Sequence, residues 1–183
     1  MDSSQSRLRM LILTALCTAI ICILAQITIP LPLVPITGQT LAIGIVATIL
    51  GSKYGTLASL LYLILGAVGI PVFSGFSGGL GVIVGPTGGF IFGFIPTAFI
   101  IGYYLEKTSF TVINAIIANI IGMLVTLTIG TVYLKIVANL TWTAAFLGGF
   151  APFIIVGVVK GVLAAWLGIV VRNRLNSANL LYA

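Results

Sequence analysis

The sequence contains very little charge. Of its 183 residues, eight are Lys or Arg, two are Asp or Glu and none is His, so charged residues make up 5% of the chain. An ordinary soluble domain contains about 25% charged residues. A water-soluble globule needs more polar surface than this chain can supply, and its mean hydropathy is +1.30. We therefore predict a polytopic protein embedded in the lipid bilayer.

The missing residue types also exclude several kinds of site. Asp2 and Glu106 are the only carboxylates, and both are expected on the cytoplasmic side. An acid–base pair, a hydrolase triad and the usual metal sites all need His or further acidic residues. We therefore expect no enzyme, no metal and no cofactor. The net charge of +6 is better explained as a membrane-topology signal than as a nucleic-acid surface.

Long apolar runs predict the membrane helices. A spanning helix needs about 20 mostly apolar residues, and Pro, Gly and charged residues divide the chain into six such runs. The second and third are short. We predict an all-α membrane protein of one domain, residues 1–183, with helices at residues 8–29, 39–50, 54–69, 90–105, 111–137 and 146–171.

The basic residues predict the orientation of these helices. If the N-terminus is cytoplasmic, six of the eight basic residues fall at cytoplasmic ends, and the outer connections carry no charge. This is the positive-inside pattern, with an even number of spans and both termini cytoplasmic. The six residues are Arg7, Arg9, Lys53, Lys107, Arg172 and Arg174.

The first outer connection, residues 30–38, is apolar and contains Pro30, Pro32 and Pro35. We call it the Pro-rich connection. Three prolines make such a segment stiff and extended. It is either a crossing segment packed on the helix ends or a lid over a ligand site. In the second interpretation Thr37 and Gln39 are its polar contacts.

The second outer connection, residues 70–89, is here called the Gly-rich connection, because ten glycines fall between Gly66 and Gly93. Glycine allows positive φ angles and close approach of a ligand. Irregular backbone at membrane depth is tolerated only inside protein or beside a cavity. Tight helix packing through small residues is one explanation, but we favour a re-entrant, ligand-contacting loop. Its candidate contacts are Phe73, Ser74, Gly75, Gly78, Gly79, Gly85 and Phe90.

Lys160 is the most unusual single residue, because it lies deep in the last apolar run. A charge near the membrane centre costs about 2.5–3.5 kcal/mol on insertion scales, and no carboxylate lies in any apolar run. The side chain either snorkels to a surface or binds an anionic ligand, and we favour the ligand. Small residues at helical spacing beside it predict protein packing on that side: Gly157, Gly161, Ala164 and Gly168.

Several motifs resemble those of the BioY family, the biotin-binding S components of energy-coupling factor (ECF) vitamin transporters. They are Ile36-Thr-Gly-Gln-Thr40, Gly69-Ile-Pro-Val-Phe-Ser74, Gly78-Gly-Leu-Gly81 and Gly85-Pro-Thr-Gly-Gly89, with Pro152-Phe153 ahead of Lys160. The resemblance covers nearly the whole chain. It implies six helices with cytoplasmic termini, biotin as the transported ligand, and uptake together with a T subunit and two ATPase subunits. The expected location is a bacterial cell membrane.

The resemblance also implies roles for particular residues. Lys160 would hold the valerate carboxylate of biotin, and the two connections would enclose its bicyclic ring. Ala15 and Ala19 would form the A-x-x-x-A face that docks on the T subunit. Two positions depart from the family pattern, since Gly157 stands where Asp is frequent and Phe90 where a hydroxylated aromatic is frequent. An S component for another small anionic vitamin and a ligand-free assembly subunit remain alternatives.

Overall fold

The computed structural model describes residues 3–181 and is mostly helical; Asp2 lies outside the described residues. Two-residue strands, β1 (Thr28–Ile29) and β2 (Ile36–Thr37), pair antiparallel, and a 3₁₀ turn covers Ser74–Phe76. The helices are α1 (Ser3–Leu24), α2 (Gln39–Ala67), α3 (Leu80–Val84), α4 (Gly88–Lys107), α5 (Val112–Val137), α6 (Trp142–Gly149) and α7 (Ala151–Ser177).

The helical surface is suited to lipid. Within the described residues, five helical stretches are long and apolar enough to cross a membrane, namely those of α1, α2, α4, α5 and the continuous run of α6 and α7. Large apolar side chains cover their outer faces, for example Ile23, Ile113 and Ile155. A soluble monomer rarely exposes so much apolar surface. The chain is thus a multi-pass helical membrane protein.

Helix α2 reverses direction at Gly51. This residue has φ 79° and ψ −172°, a conformation that is essentially restricted to glycine. Gln39 Nε2 lies 2.6 Å from the hydroxyl oxygen of Tyr62, although a straight helix would separate these residues by about 35 Å. Residues 39–50 and 52–67 are therefore two antiparallel arms of a hairpin, which corresponds to the two short apolar runs in the sequence.

The hairpin turn is held by two charged residues from other helices. Glu106 of α4 accepts hydrogen bonds from the Ser52 backbone N–H and the Ser52 hydroxyl, each at 2.7 Å. Arg172 of α7 donates to the Ile49 carbonyl and lies over the Phe110 ring, 3.4 Å from its centroid. An anion thus meets the start of one arm and a cation the end of the other, as the helix dipoles favour.

Small residues let α7 pack against the first arm of α2. A methyl group placed on Gly168 would lie 2.7 Å from Thr48 Cβ, and one on Gly44 would lie 2.9 Å from Ala164 Cβ. Gly161, Ala164 and Gly168 are all buried. The small residues beside Lys160 therefore face protein. Their contact with the first arm of α2 fixes the position of Lys160 along that arm.

The predicted last helix, residues 146–171, differs from the structure. Helix α6 begins at Trp142, inside the predicted connection 138–145, because Thr141 caps it by accepting a hydrogen bond from Ala144 N–H at 3.2 Å. The helix ends before Phe150, whose φ and ψ are −122° and −60°. Pro152 in the first turn of α7 has no N–H to continue the preceding helix. The segment is therefore two helices.

Candidate functional site

A cavity of about 170 Å³ lies under the two connections. It is lined by both connections, by the start of α2 and by α4, α5 and α7. Six residues singled out from the sequence line it: Thr37, Gln39, Phe73, Ser74, Phe90 and Lys160. They are drawn from distant parts of the chain, and the fold brings them to one place.

Lys160 supplies the positive charge of this cavity. Its Nζ donates to the Thr37 carbonyl at 2.7 Å and lies 3.5 Å from Thr40 Oγ1. An ammonium group has three donors, so these two contacts, one of them long, leave donor capacity for a ligand. Glu106, the carboxylate within the described residues, is bound to Ser52 at the hairpin turn. Within residues 3–181, Lys160 is therefore a cation without a neighbouring anion.

A second, smaller chamber of about 50 Å³ shares Lys160, Phe94 and Phe153 with this cavity. Its polar walls are already paired: Thr97 and Thr126 hydroxyl oxygens lie 2.7 Å apart, and Asn119 Nδ2 donates to Thr48 Oγ1 at 3.0 Å. These groups join neighbouring helices. They offer Lys160 polar surroundings but no negative charge.

The Pro-rich connection covers the cavity as a short hairpin. Strand β1 pairs with β2 through Thr28 opposite Thr37, and Val34 and Pro35 line the cavity from above. Leu33 packs into the space left by Gly148 of α6, where a methyl group would lie 2.4 Å from its Cδ1. The connection is therefore a packed crossing segment that also lines the cavity, and its role as a lid stays a prediction.

The Gly-rich connection is also ordered by its own contacts. The Phe73 ring lies so close to Gly66 that a methyl group there would fall 2.0 Å from its Cζ. The Ser74 and Thr28 hydroxyl oxygens are 2.8 Å apart, which joins the two connections. Phe73 N–H donates to the Ser77 carbonyl at 2.9 Å. This segment re-enters the fold instead of extending away from it.

Four predicted glycine contacts do not line the cavity. Gly75 and Gly79 have φ angles of 69° and 91° and open space around them, so they shape the backbone. Gly78 approaches the Ile70 carbonyl, and Gly85 follows the end of α3 against the carbonyl of Gly81. Direct ligand contact by these four glycines stays a prediction.

Several lining residues were not predicted. Thr40, Ser77 and Thr87 add hydroxyl groups to the wall, and each lies within three residues of a predicted site residue or motif. Pro35 and Phe153 belong to segments singled out in the sequence, and the remaining members are apolar residues with no distinguishing sequence signal: Val34, Val82, Ile91, Phe94 and Leu127. The wall is thus mostly apolar, with a few polar groups and one cation, which is typical of a small-molecule site.

Ala15 and Ala19 lie on α1, away from the cavity. Both are exposed, whereas Thr14, Cys17 and Thr18 on the opposite face are buried. Two alanines one helical turn apart on an exposed helix allow close approach of another helix. The structure therefore leaves this face free within the described residues.

These features define a helical membrane protein with a mostly apolar cavity that carries a positive charge. The model of the BioY family matches residues 1–177, and the chain belongs to that family. It is a family of transporter S components and not of enzymes.

Named relatives and a solved structure agree with this assignment. The chain is 41% identical over 175 residues to the biotin transporter BioY2 of Lactococcus lactis subsp. cremoris, covering 96% of each chain. It is 42% identical over 159 residues to the biotin transporter BioY of Thermotoga maritima, covering 86% of this chain and 92% of that one. The crystal structure of the S-component for biotin from an ECF-type ABC transporter superposes with a TM-score of 0.85 and 29% identity, over 94% and 95% of the two chains.

Proposed function

We propose that the chain is a biotin-binding S component that takes up biotin across the cell membrane together with an ATP-driven ECF module. The observation that carries the proposal is Lys160, a cation on the cavity wall without a carboxylate partner among the described residues. Biotin has a carboxylate for this cation and a bicyclic ring for the apolar wall. The relatives at 41% and 42% identity are named biotin transporters.

In this mechanism the ligand carboxylate replaces part of the polar shell of Lys160. A charge-assisted hydrogen bond in a low-dielectric cavity is worth more than the same bond in water. The ring system packs between Phe73, Phe90 and Phe153, which come from the Gly-rich connection, α4 and α7. The Pro-rich connection closes over it and excludes water.

We infer six membrane crossings with both termini cytoplasmic. The reversal at Gly51 splits α2 into two crossing arms, which raises the five long apolar stretches to six. The basic residues Lys53, Arg172 and Arg174 lie at or near the hairpin-turn end, and the cavity lies at the other end of the first arm. Positive-inside orientation then places the cavity on the outer side. A bacterial origin stays a prediction.

Release to the inside needs energy from partners. The chain carries no nucleotide-binding motif, so the proposal requires the T subunit and the two ATPase subunits of an ECF module. The exposed Ala15 and Ala19 face of α1 is the proposed docking surface for the T subunit.

The test is calorimetric titration of biotin into detergent-purified protein, beside a panel of other small vitamins with carboxylate groups. The expected result is tight 1:1 binding of biotin and none of the others at similar concentration. Tight binding of a different vitamin would contradict the choice of ligand. Failure of every ligand to bind a protein with a cooperative thermal transition would favour a ligand-free assembly subunit.

A further inference from the structure

A buried hydrogen-bond chain runs from the cavity wall to a tyrosine outside it. Thr37 Oγ1 donates to Gln39 Oε1 at 2.8 Å, and Gln39 Nε2 donates to the Tyr62 hydroxyl oxygen at 2.6 Å. The Tyr62 hydroxyl in turn donates to the Val72 carbonyl at 3.2 Å. Thr37 and Gln39 line the cavity, whereas Tyr62 lies behind the wall with 0% of its surface exposed.

This hydrogen-bond chain fixes which donor and which acceptor of the Gln39 side-chain amide face the cavity. A side-chain amide has two N–H donors and an oxygen with two lone pairs. Tyr62 takes one donor and Thr37 takes one lone pair; with the amide rotated by 180°, the Tyr62 hydroxyl would have to donate to Gln39 Oε1 and give up its bond to the Val72 carbonyl. One donor and one lone pair remain for the cavity. Thr37, which is held in the same chain, presents its carbonyl to Lys160 at 2.7 Å.

The Tyr62 hydroxyl also connects the Pro-rich and Gly-rich connections, which both line the cavity. Thr37 lies next to the end of the Pro-rich connection, and Val72 belongs to the Gly-rich connection beside Phe73. The Tyr62 ring meets the Phe73 ring edge-on, with centroids 5.4 Å apart. Tyr62, on the second arm of α2, therefore contacts Gln39, which holds Thr37 of the Pro-rich connection. It also contacts Val72 and Phe73 of the Gly-rich connection.

We propose that Tyr62 is a positioning residue for ligand binding, whose hydroxyl orients the Gln39 amide and holds Thr37 and the Gly-rich connection in register around the ligand. The inference rests on the proposed function, since biotin is the probe. Tyr62 does not touch the ligand and acts through Gln39.

The test is a double-mutant cycle on the biotin dissociation constant, using Tyr62→Phe, Gln39→Leu and the double variant. Tyr62→Phe removes one oxygen and keeps the ring contact with Phe73. The Val72 carbonyl keeps a partner, because Gln26 Nε2 also donates to it at 3.1 Å. We expect the dissociation constant to rise about tenfold, the effect of one disturbed buried hydrogen bond.

The double variant separates positioning from general stability. If Tyr62 acts through Gln39, adding Tyr62→Phe to Gln39→Leu leaves the dissociation constant within about twofold of Gln39→Leu alone. This comparison also serves if Tyr62→Phe alone does not fold, because the double variant removes the Gln39–Tyr62 bond from both sides and leaves neither partner of that bond unsatisfied. Tyr103→Phe is the matched control, since Tyr103 is exposed and stacks on Phe99; it should bind biotin as the wild type does.

Two results would overturn the inference while leaving the proposed function intact. In the first, wild type binds biotin and Tyr62→Phe binds it equally well. In the second, Tyr62→Phe weakens binding by the same factor with and without Gln39. Absence of biotin binding by folded wild type would instead overturn the proposed function, and the inference with it.

Discussion

Helix α7 carries two cations whose surroundings differ. Arg172, at the hairpin turn, donates to the Ile49 carbonyl, lies over the Phe110 ring and is close to the turn that Glu106 caps. Lys160, 12 residues earlier and about 18 Å away along the helix, has the Thr37 carbonyl and a long contact to Thr40. Arg172 thus has a carbonyl, an aromatic ring and the nearby charge of Glu106 as protein partners, whereas Lys160 has no carboxylate beside it among the described residues.

The comparison teaches how a structural cation differs from a binding cation. A cation whose partners belong to the protein stabilises the fold, and its removal leaves those partners unsatisfied. A group that keeps spare donors beside a cavity contributes little to the fold and much to a ligand of opposite charge. Changes at the cavity end should therefore alter binding, and changes at the turn end should alter stability.

The largest expected effect comes from removing the ligand's charge. Biotin amide, which is neutral where biotin has a carboxylate, should bind wild type about 100-fold more weakly than biotin, because truncating one member of a buried charge pair costs about 2–5 kcal/mol. Competition titration measures the ratio. In Lys160→Met the two ligands should bind alike, and an unchanged preference for biotin in that variant would remove Lys160 from the carboxylate site.

Gly51→Ala should have the next largest effect, and it should fall on stability. Its φ of 79° is unfavourable for alanine, and the added methyl group would approach Glu106 Oε1. We expect the variant to lose about 1–3 kcal/mol of stability, measured as a lower thermal transition in detergent. Gly81→Ala, where the added methyl group meets open space, is the control. A Gly51→Ala transition equal to that of wild type would contradict the hairpin geometry.

Glu106→Gln should also lower stability, but by less than Gly51→Ala. The amide keeps an acceptor for the Ser52 N–H but loses the negative charge at the start of the second arm. Because Glu106 is exposed, the loss should be about 1 kcal/mol or less. Thermal unfolding at low and high salt checks this, since the difference from wild type should shrink as salt rises.

The double variant Ala15→Leu/Ala19→Leu should change neither ligand binding at the cavity nor stability at the hairpin turn. Both alanines are exposed on α1, away from the cavity and the turn, so biotin affinity and thermal stability should match those of wild type. Co-purification with the T subunit and ATPases should fall sharply, because leucine prevents close helix approach. Leu16→Ala on the same exposed surface is the control. Normal assembly of the double variant would place the docking surface elsewhere.

Much of the cavity could be predicted because its residues are chemically unusual for a membrane helix. A lysine in an apolar run, three prolines and a cluster of glycines each stand out from a lipid-facing background. This is why Lys160, Thr37, Gln39 and Phe73 were found without coordinates, and all four line one cavity. The mostly helical membrane fold followed from composition for the same reason, whereas the short strands β1 and β2 were not predicted.

The rest depended on contacts between distant residues. Phe94 and Leu127 line the cavity, but in an apolar helix they are indistinguishable by composition from lipid-facing neighbours. The bond between Glu106 and Ser52 joins residues 54 positions apart, and no local pattern indicates it. The break at Phe150 did have local signals, Gly148-Gly149 before it and Pro152 after it, but the continuous hydrophobicity of the run concealed them.

The most direct test compares Lys160→Met with Arg172→Met, measuring the thermal transition without ligand and the biotin dissociation constant of each. The account predicts that Lys160→Met melts within about 3 °C of wild type, a change of about 1 kcal/mol or less, and binds biotin about 100-fold more weakly. Arg172→Met should melt at a lower temperature and bind biotin within about twofold of wild type. The account would be contradicted if Lys160→Met lost stability but kept its biotin affinity, or if Arg172→Met lost biotin affinity without losing stability.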